Sequence, residues 1–221
     1  MEIDLEVLAP LAGRWQFRQK SAIYEGPQEN AWAPFGLAIS SQRLRNGRIR
    51  ATVAFPKQHS VGRIVFGRNA KTNAYFSAGI GGYGYAYLLD EFTLGRGWRA
   101  LRTEGGEQNI SAATLYDIEV QLRGQRVRLL VNSIAVLEGN LPSPLNADQI
   151  GLFAYGDAPV EFSKFVVDID DIDKPHVFVV MHFGEPYDTL YRDVITPVAT
   201  EMGFAPYRAD DVYHPGSCWR T

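Results

Sequence analysis

Tyr83, Tyr85 and Tyr87 stand at every second position directly after Gly79-Ile-Gly-Gly82, and Trp98-Arg99 follows a Gly95-Arg-Gly97 turn. Alternate side chains of a strand share a face, so this spacing predicts three phenol rings in one row. Asp90, Trp98 and Arg99 would lie near them. Aromatic faces stack on sugar rings while an arginine and a carboxylate hydrogen-bond hydroxyls, so the group could hold a glycan or a similar small ligand. The same pattern also fits a tyrosine row that lines the core or pairs across strands on a covered face. Gly84 and Ala86 favour that use, because they leave the opposite face too small to fill a core alone.

Acid–base chemistry is harder to place. Retaining glycosidases need two carboxyls about 5 Å apart. Glu104-Gly-Gly-Glu107 falls in a glycine-rich turn without rigid support, and Asp117 and Glu119 read as an ordinary polar strand face, so no catalytic residue is expected in this half. Asp168-Ile-Asp-Asp-Ile-Asp-Lys-Pro175 lacks the glycine and glutamate of a calcium loop and reads as a linker. His59, His176, His214 and Cys218 show no metal-ligand spacing, so neither a metal nor a cofactor is expected. A single cysteine excludes an intrachain disulfide. Arg43, Arg45, Arg48 and Arg50 alternate along a strand or hairpin. They suit a solvated sheet edge that discourages strand addition, or a contact with an acidic ligand or the acidic C-terminal segment.

The elements that would carry these residues are mostly strands. Ile49, Ala51, Val53 and Phe55 alternate with polar neighbours, as do Ile118, Val120 and Leu122; Arg123-Gly124-Gln125 then turns into Val127, Leu129 and Val131. Further strands fit Ile150–Tyr155 and Val160–Val167. Many short strands, each with one polar face, predict an antiparallel sandwich over residues 1–168. Gly13-Arg-Trp15 offers a rival, since it resembles the first-strand signature of lipocalin-type barrels.

Beyond the linker at 169–175 the pattern changes. Val177–Met181 reads as an apolar strand, followed by a polar loop, a helix and a second strand near Ala205–Ala209. That order predicts a parallel βαβ unit, with its ligand crevice beyond the carboxyl ends of the strands. Leu190, Tyr191, Val194, Ile195, Val198 and Met202 keep the rhythm of a helix face packed on a sheet. Pro197 should bend the helix and Gly203 cap it.

The 221 residues carry a formal charge of −3. Residues 1–168 hold 18 Lys/Arg against 16 Asp/Glu, and residues 169–221 hold 4 against 9. Neither half has the charge of a nucleic-acid surface, and no apolar run approaches the length of a membrane span. A cytoplasmic protein is expected, since the first residues lack the pattern of a signal peptide.

Two resemblances add to this. Gly47–Phe55, Val61–Gly67 with Asn73–Ala78, Leu115–Gly124 with Val127–Asn132, and Gln149–Tyr155 with Val160–Val167 together resemble the concanavalin A-like (laminin-G-like) jelly rolls over about residues 10–168. Such sandwiches serve glycan binding, glycosidase accessory modules and protein adhesion. Val177–Pro197 with Arg208-Ala-Asp-Asp211 resembles the opening of TIR-like and nucleoside 2-deoxyribosyltransferase-like domains. That likeness implies a nucleotide pocket edged by Met181, His182, Phe183, Tyr187 and Asp210. His182 stands where that family usually has proline, and its downstream catalytic carboxylate is missing, so residues 176–221 read as a truncated fragment. The combined expectation is a mainly β protein. Its antiparallel two-sheet jelly roll would be a non-catalytic recognition or assembly module, with a glycan, a small molecule or further copies of itself as partner, the last giving a homo-oligomer, joined to an incomplete nucleotide-processing effector. The alternative is the regulatory half of a nucleotide or NAD N-glycosidase of bacterial defence or signalling.

Overall fold

The computed structural model describes residues 1–29, 34–55, 59–146, 148–156, 159–170, 176–202 and 204–212. The chain divides into two compact units, Met1–Asp170 and Asp171–Thr221.

In the first unit the strands run β1 (Ala9–Ala12), β2 (Arg14–Arg18), β3 (Ser21–Gly26), β4 (Phe35–Leu44), β5 (Gly47–Ala54), β6 (Val61–Arg68) and β7 (Tyr75–Ile80). There follow β8 (Tyr85–Thr93), β9 (Gly97–Gly106), β10 (Leu115–Arg123), β11 (Arg126–Val131), β12 (Ile134–Asn140), β13 (Asp148–Tyr155) and β14 (Val160–Ile169). They form two antiparallel seven-stranded sheets, ordered β1-β4-β13-β6-β7-β8-β9 and β12-β11-β10-β5-β14-β3-β2.

Alternation sets the second sheet. Ile118 of β10 pairs with Ala51 of β5 and Val131 of β11, and Val120 pairs with Ile49 and Leu129. All six are buried, while Arg48, Arg50 and Arg128 between them are exposed. Tyr24, Phe162, Phe165 and Leu5 complete the core between the sheets. Each such side chain contributes about 1.5–3 kcal/mol on burial. A one-residue slip would turn the whole set outward, which fixes the register.

The first sheet departs from the expected polar outer face. Every residue of β7 and all but the last of β6 are buried. Their outward side chains join Ala12, Phe35, Leu37, Ile39, Phe92 and Phe153 in a second hydrophobic cluster, separate from the core between the sheets.

Two other expectations are corrected. β5 lies inside its sheet, between β10 and β14, so Arg48 and Arg50 do not protect an edge; Arg50 instead donates to Asp168 at 2.6 Å on neighbouring β14. Gly13-Arg14-Trp15 begins no barrel. The chain crosses there from the first sheet to the second, Gly13 has φ +79°, and a Cβ on it would stand 2.8 Å from Gly36 Cα. Trp15 Nε1 donates back to the Ala12 carbonyl at 2.9 Å, which closes the corner.

In the second unit β15 (His176–Val179) pairs in parallel with β16 (Ala205–Arg208). They are joined through α1 (Tyr187–Leu190), a π-helical turn (Tyr191–Ile195) and α2 (Thr196–Glu201), with α3 (Ala209–Val212) after β16. This is the βαβ order read from the sequence. The π turn ends two residues before Pro197, whose missing N–H breaks the helical ladder. Leu190, Val194, Val198 and Met202 are exposed rather than packed, because a sheet of two four-residue strands is too small to cover the whole stripe. Gly203 and residues 171–175 and 213–221 lie outside the described residues, and with them the predicted cap, most of the linker, His214 and Cys218.

Candidate functional site on the outer face of the first sheet

The outer face of the first sheet is built on one buried charge pair. Arg63 is the buried cation within β6, whose other arginine, Arg68, ends the strand, and it reaches across β7 to Asp90 of β8. Arg63 Nη1 donates to Asp90 Oδ2, and the Ser77 hydroxyl donates to Asp90 Oδ1. Arg63 Nε and Nη2 donate to the Gly81 carbonyl at 3.1 and 2.5 Å. Burial pushes the Asp90 carboxyl above its ordinary range, opposed by Arg63 and Ser77. Gly82 has φ +123°, and a Cβ there would stand 2.0 Å from Arg63 Nη2. The glycine-rich loop is therefore shaped by the guanidinium lying against it.

An aromatic group covers this pair. Arg63 lies over the Phe153 ring at 5.6 Å. The Trp98 ring is 5.0 Å from Phe153 and Phe92, 5.5 Å from Tyr75 and 5.9 Å from Phe35. Trp98 belongs to β9 and Phe153 to β13, with three strands between them in the sheet. Strands stand about 4.8 Å apart, so a flat sheet would hold these backbones about four spacings apart. Ring contact at 5.0 Å requires the sheet to curl toward this face, which is concave.

At one end of the concave face a cavity of about 560 Å³ opens, lined by Arg63, Val61, Phe153, Trp98, Tyr155 and Tyr83 among others. His59 and Glu107 form its polar rim, joined by a 2.7 Å contact from His59 Nδ1 to Glu107 Oε1. Tyr83 is 62% exposed and Tyr155 46%, so both offer ring surface to a ligand. Burial pushes the Tyr83 phenol above its ordinary range, and the Asp90 charge adds to the shift.

The row of three tyrosines does not form. Tyr83 sits in the turn before β8 with φ +53°. Tyr85 is exposed at the start of β8, and Tyr87 packs against the core between the sheets. A left-handed residue within the Gly82–Gly84 turn breaks the alternation that the sequence implied. Trp98 lines the cavity. Asp90 lies beneath it, fully buried and committed to Arg63. Arg99 points elsewhere and pairs with Glu91 through Nε at 3.0 Å. Glu104 lies in β9 rather than in a turn, and Glu107 is held at the rim by His59. The sequence reading missed Arg63, Phe153, Tyr155, His59 and Glu107. A single arginine inside a continuous apolar run was the available signal, because unpaired charges are almost never fully buried.

The predicted pocket edge of the second unit is organised around Arg208 instead. Arg208 is 7% exposed. Its Nη1 donates to Asp188 Oδ1 at 2.7 Å and its Nε to Asp210 Oδ1 at 2.7 Å. The guanidinium also lies over the rings of Phe183 and Tyr191, at 5.2 and 4.8 Å. Arg208 holds the Asp210 carboxyl below its ordinary range, so Asp210 acts as an internal clamp. Phe183, His182 and Tyr187 are exposed and Met181 is half-buried, with the His182 and Tyr187 rings 5.6 Å apart.

No family model and no curated protein sequence matches this chain. Solved structures do. The carbohydrate-binding module CBM66 from Bacillus subtilis superposes with TM-score 0.59 at 14% identity, covering 72% of this chain and 93% of that one. A Bacillus subtilis protein of unknown function with a galectin-like fold gives 0.55 at 10%, covering 74% and 89%. The first unit has a galectin-like jelly-roll fold. A prokaryotic β-1,3-1,4-glucanase (lichenase) derived from a mouse hindgut metagenome matches at 0.51 and 8%, covering 69% and 81%. At these identities the likeness establishes the jelly roll and leaves its ligand to the residues.

Proposed function

We propose that the jelly roll is a carbohydrate-binding module that holds its ligand in the cavity on the concave face. The observation that carries this reading is the meeting of Tyr83, Tyr155 and Trp98 around one cavity with a polar His59–Glu107 rim. Sugar rings have apolar faces that stack on aromatics and hydroxyls that need polar partners. The volume falls within the range of small-molecule sites. Two of the similar structures are named for carbohydrate binding or cleavage, which agrees with this chemistry. Binding is favoured over cleavage because the described lining holds one carboxylate, Glu107, where retaining hydrolysis uses two about 5 Å apart. A glycan array probed with the full chain tests this. Selective binding that Trp98→Ala abolishes without unfolding is expected, and an array without any selective signal refutes it.

A second reading concerns residues 176–212. The parallel β15–β16 pair with its helical crossover supports descent from a nucleotide-acting α/β domain. Because Arg208 already occupies Asp188 and Asp210, this segment is read as a non-catalytic appendage. Turnover of NAD or of a deoxynucleoside by the 221-residue chain would overturn that.

A further inference from the structure

Tyr75 is 2% exposed, and its hydroxyl is buried without a hydrogen-bond partner among the described residues. Leaving a buried hydroxyl unpaired is unfavourable, and native proteins do so rarely. This phenol lines a second cavity of about 240 Å³ on the same concave face, beside Arg68, Asn73, Phe92 and Phe35. Phe35 also lines the first cavity. Trp98 lines the first cavity and packs on residues that line the second, edge-on to both Tyr75 and Phe35 at interplanar angles of 84° and 83°.

Trp98 is also the residue of this cluster best placed to move. It is half-buried, lies on the last strand of its sheet, and follows Gly97 (φ +79°) in a turn where a Cβ at Gly95 or Gly97 would touch nothing. The other rings of the cluster are buried on β4, β7, β8 and β13.

We propose that Trp98 is a hinged cover: swinging it outward joins the two cavities into one cleft and exposes the Tyr75 hydroxyl as a hydrogen-bonding point for the ligand. This rests on the carbohydrate reading of the concave face and assigns Tyr75 a role in specificity. The unpaired phenol is then a cost of the closed state that a ligand hydroxyl removes. Polar groups for a chain entering the second cavity are at hand, since Arg68 donates to Asn73 Oδ1 at 2.9 Å at its wall.

The test uses the full chain labelled with 5-fluorotryptophan and followed by 19F NMR, with Trp98 assigned from Trp98→Phe. Exchange between two environments is expected at Trp98 and not at Trp15, whose N–H is held by Ala12. A single sharp Trp98 line matching Trp15 in behaviour overturns the cover. Tyr75→Phe provides the second arm. Its melting temperature should equal or exceed that of the parent, whereas a fall of about 2–4 °C or more, the size of one lost hydrogen bond in a domain of this length, would show the hydroxyl already paired. The third arm measures affinity for a mixed-linked β-1,3-1,4-gluco-hexasaccharide, which Tyr75→Phe should weaken by about 5- to 10-fold. Equal affinity of the two proteins overturns the role of Tyr75. Exchange at Trp98 with no selective signal from either protein on the glycan array leaves the cover standing and removes both the carbohydrate reading and the ligand role of Tyr75.

Discussion

Arg63 and Asp90 lie two strands apart and meet across β7, with 4% and 0% of their side chains exposed. Nothing else on the concave face fixes so much. The guanidinium supports the Gly81–Gly82 loop, carries the Phe153 ring and forms part of the cavity wall.

Removing one member of this pair should therefore strand a buried charge. Arg63→Met or Asp90→Leu alone is expected to cost about 3–5 kcal/mol in urea unfolding, and the double substitution markedly less. Single variants as stable as the parent would show that the pair is solvated.

Gly82→Ala places a Cβ on the guanidinium in a left-handed backbone. The expected loss is about 1–3 kcal/mol, with near-ultraviolet circular dichroism altered by the displaced Phe153 and Trp98. Gly124→Ala, at a hairpin turn where a Cβ would touch nothing, is the control for the backbone effect alone.

Alkaline pH should unfold the jelly roll through Tyr75. Burial, with Asp90 as a second cause, raises its phenol above the ordinary value of 10.0. A raised folded-state pKa gives stability that is complete below the unfolded value and declines as pH rises beyond about 10. Denaturant midpoints should fall from about pH 10 upward, and the 295 nm phenolate signal of Tyr75 should appear at higher pH than that of the exposed tyrosines. A Tyr75→Phe variant should lose less of its stability over that range.

Much of the scaffold was legible because one rule governs it. Strands β5, β10, β11 and β14 bury mainly alternate residues while β13 is buried on both faces, and the bounds of all five lie within two residues of those read from the sequence. The site was not, because it depends on long-range packing. The spacing of Tyr83 implies a strand face that its φ of +53° destroys. Local pattern does not show the role of Arg63, because its pairing with Asp90 joins residues 27 positions apart. Nor does local pattern show that β9 curls over to bring Trp98 onto Phe153. The helix stripe Leu190, Val194, Val198 and Met202 failed in the other direction: its periodicity is real, but the two strands described in this unit are too narrow to cover it.

Arg208 should be the equivalent fixed point of the second unit. Arg208→Ala releases Asp188, Asp210, Phe183 and Tyr191 at once. Limited proteolysis is expected to cut residues 181–212 several-fold faster, with the jelly roll intact. Unchanged cleavage would mean that the clamp holds nothing together.

The concave face as a carbohydrate site is tested most directly by backbone amide NMR of the full chain, titrated with the glycan that binds best on the array. Saturable shifts are predicted at His59–Arg63, Gly82–Gly84, Trp98, Glu107 and Phe153–Tyr155. Shifts centred on the outer face of the other sheet, around Arg50, Asp117 and Lys164, or no saturable shifts at all, would contradict it.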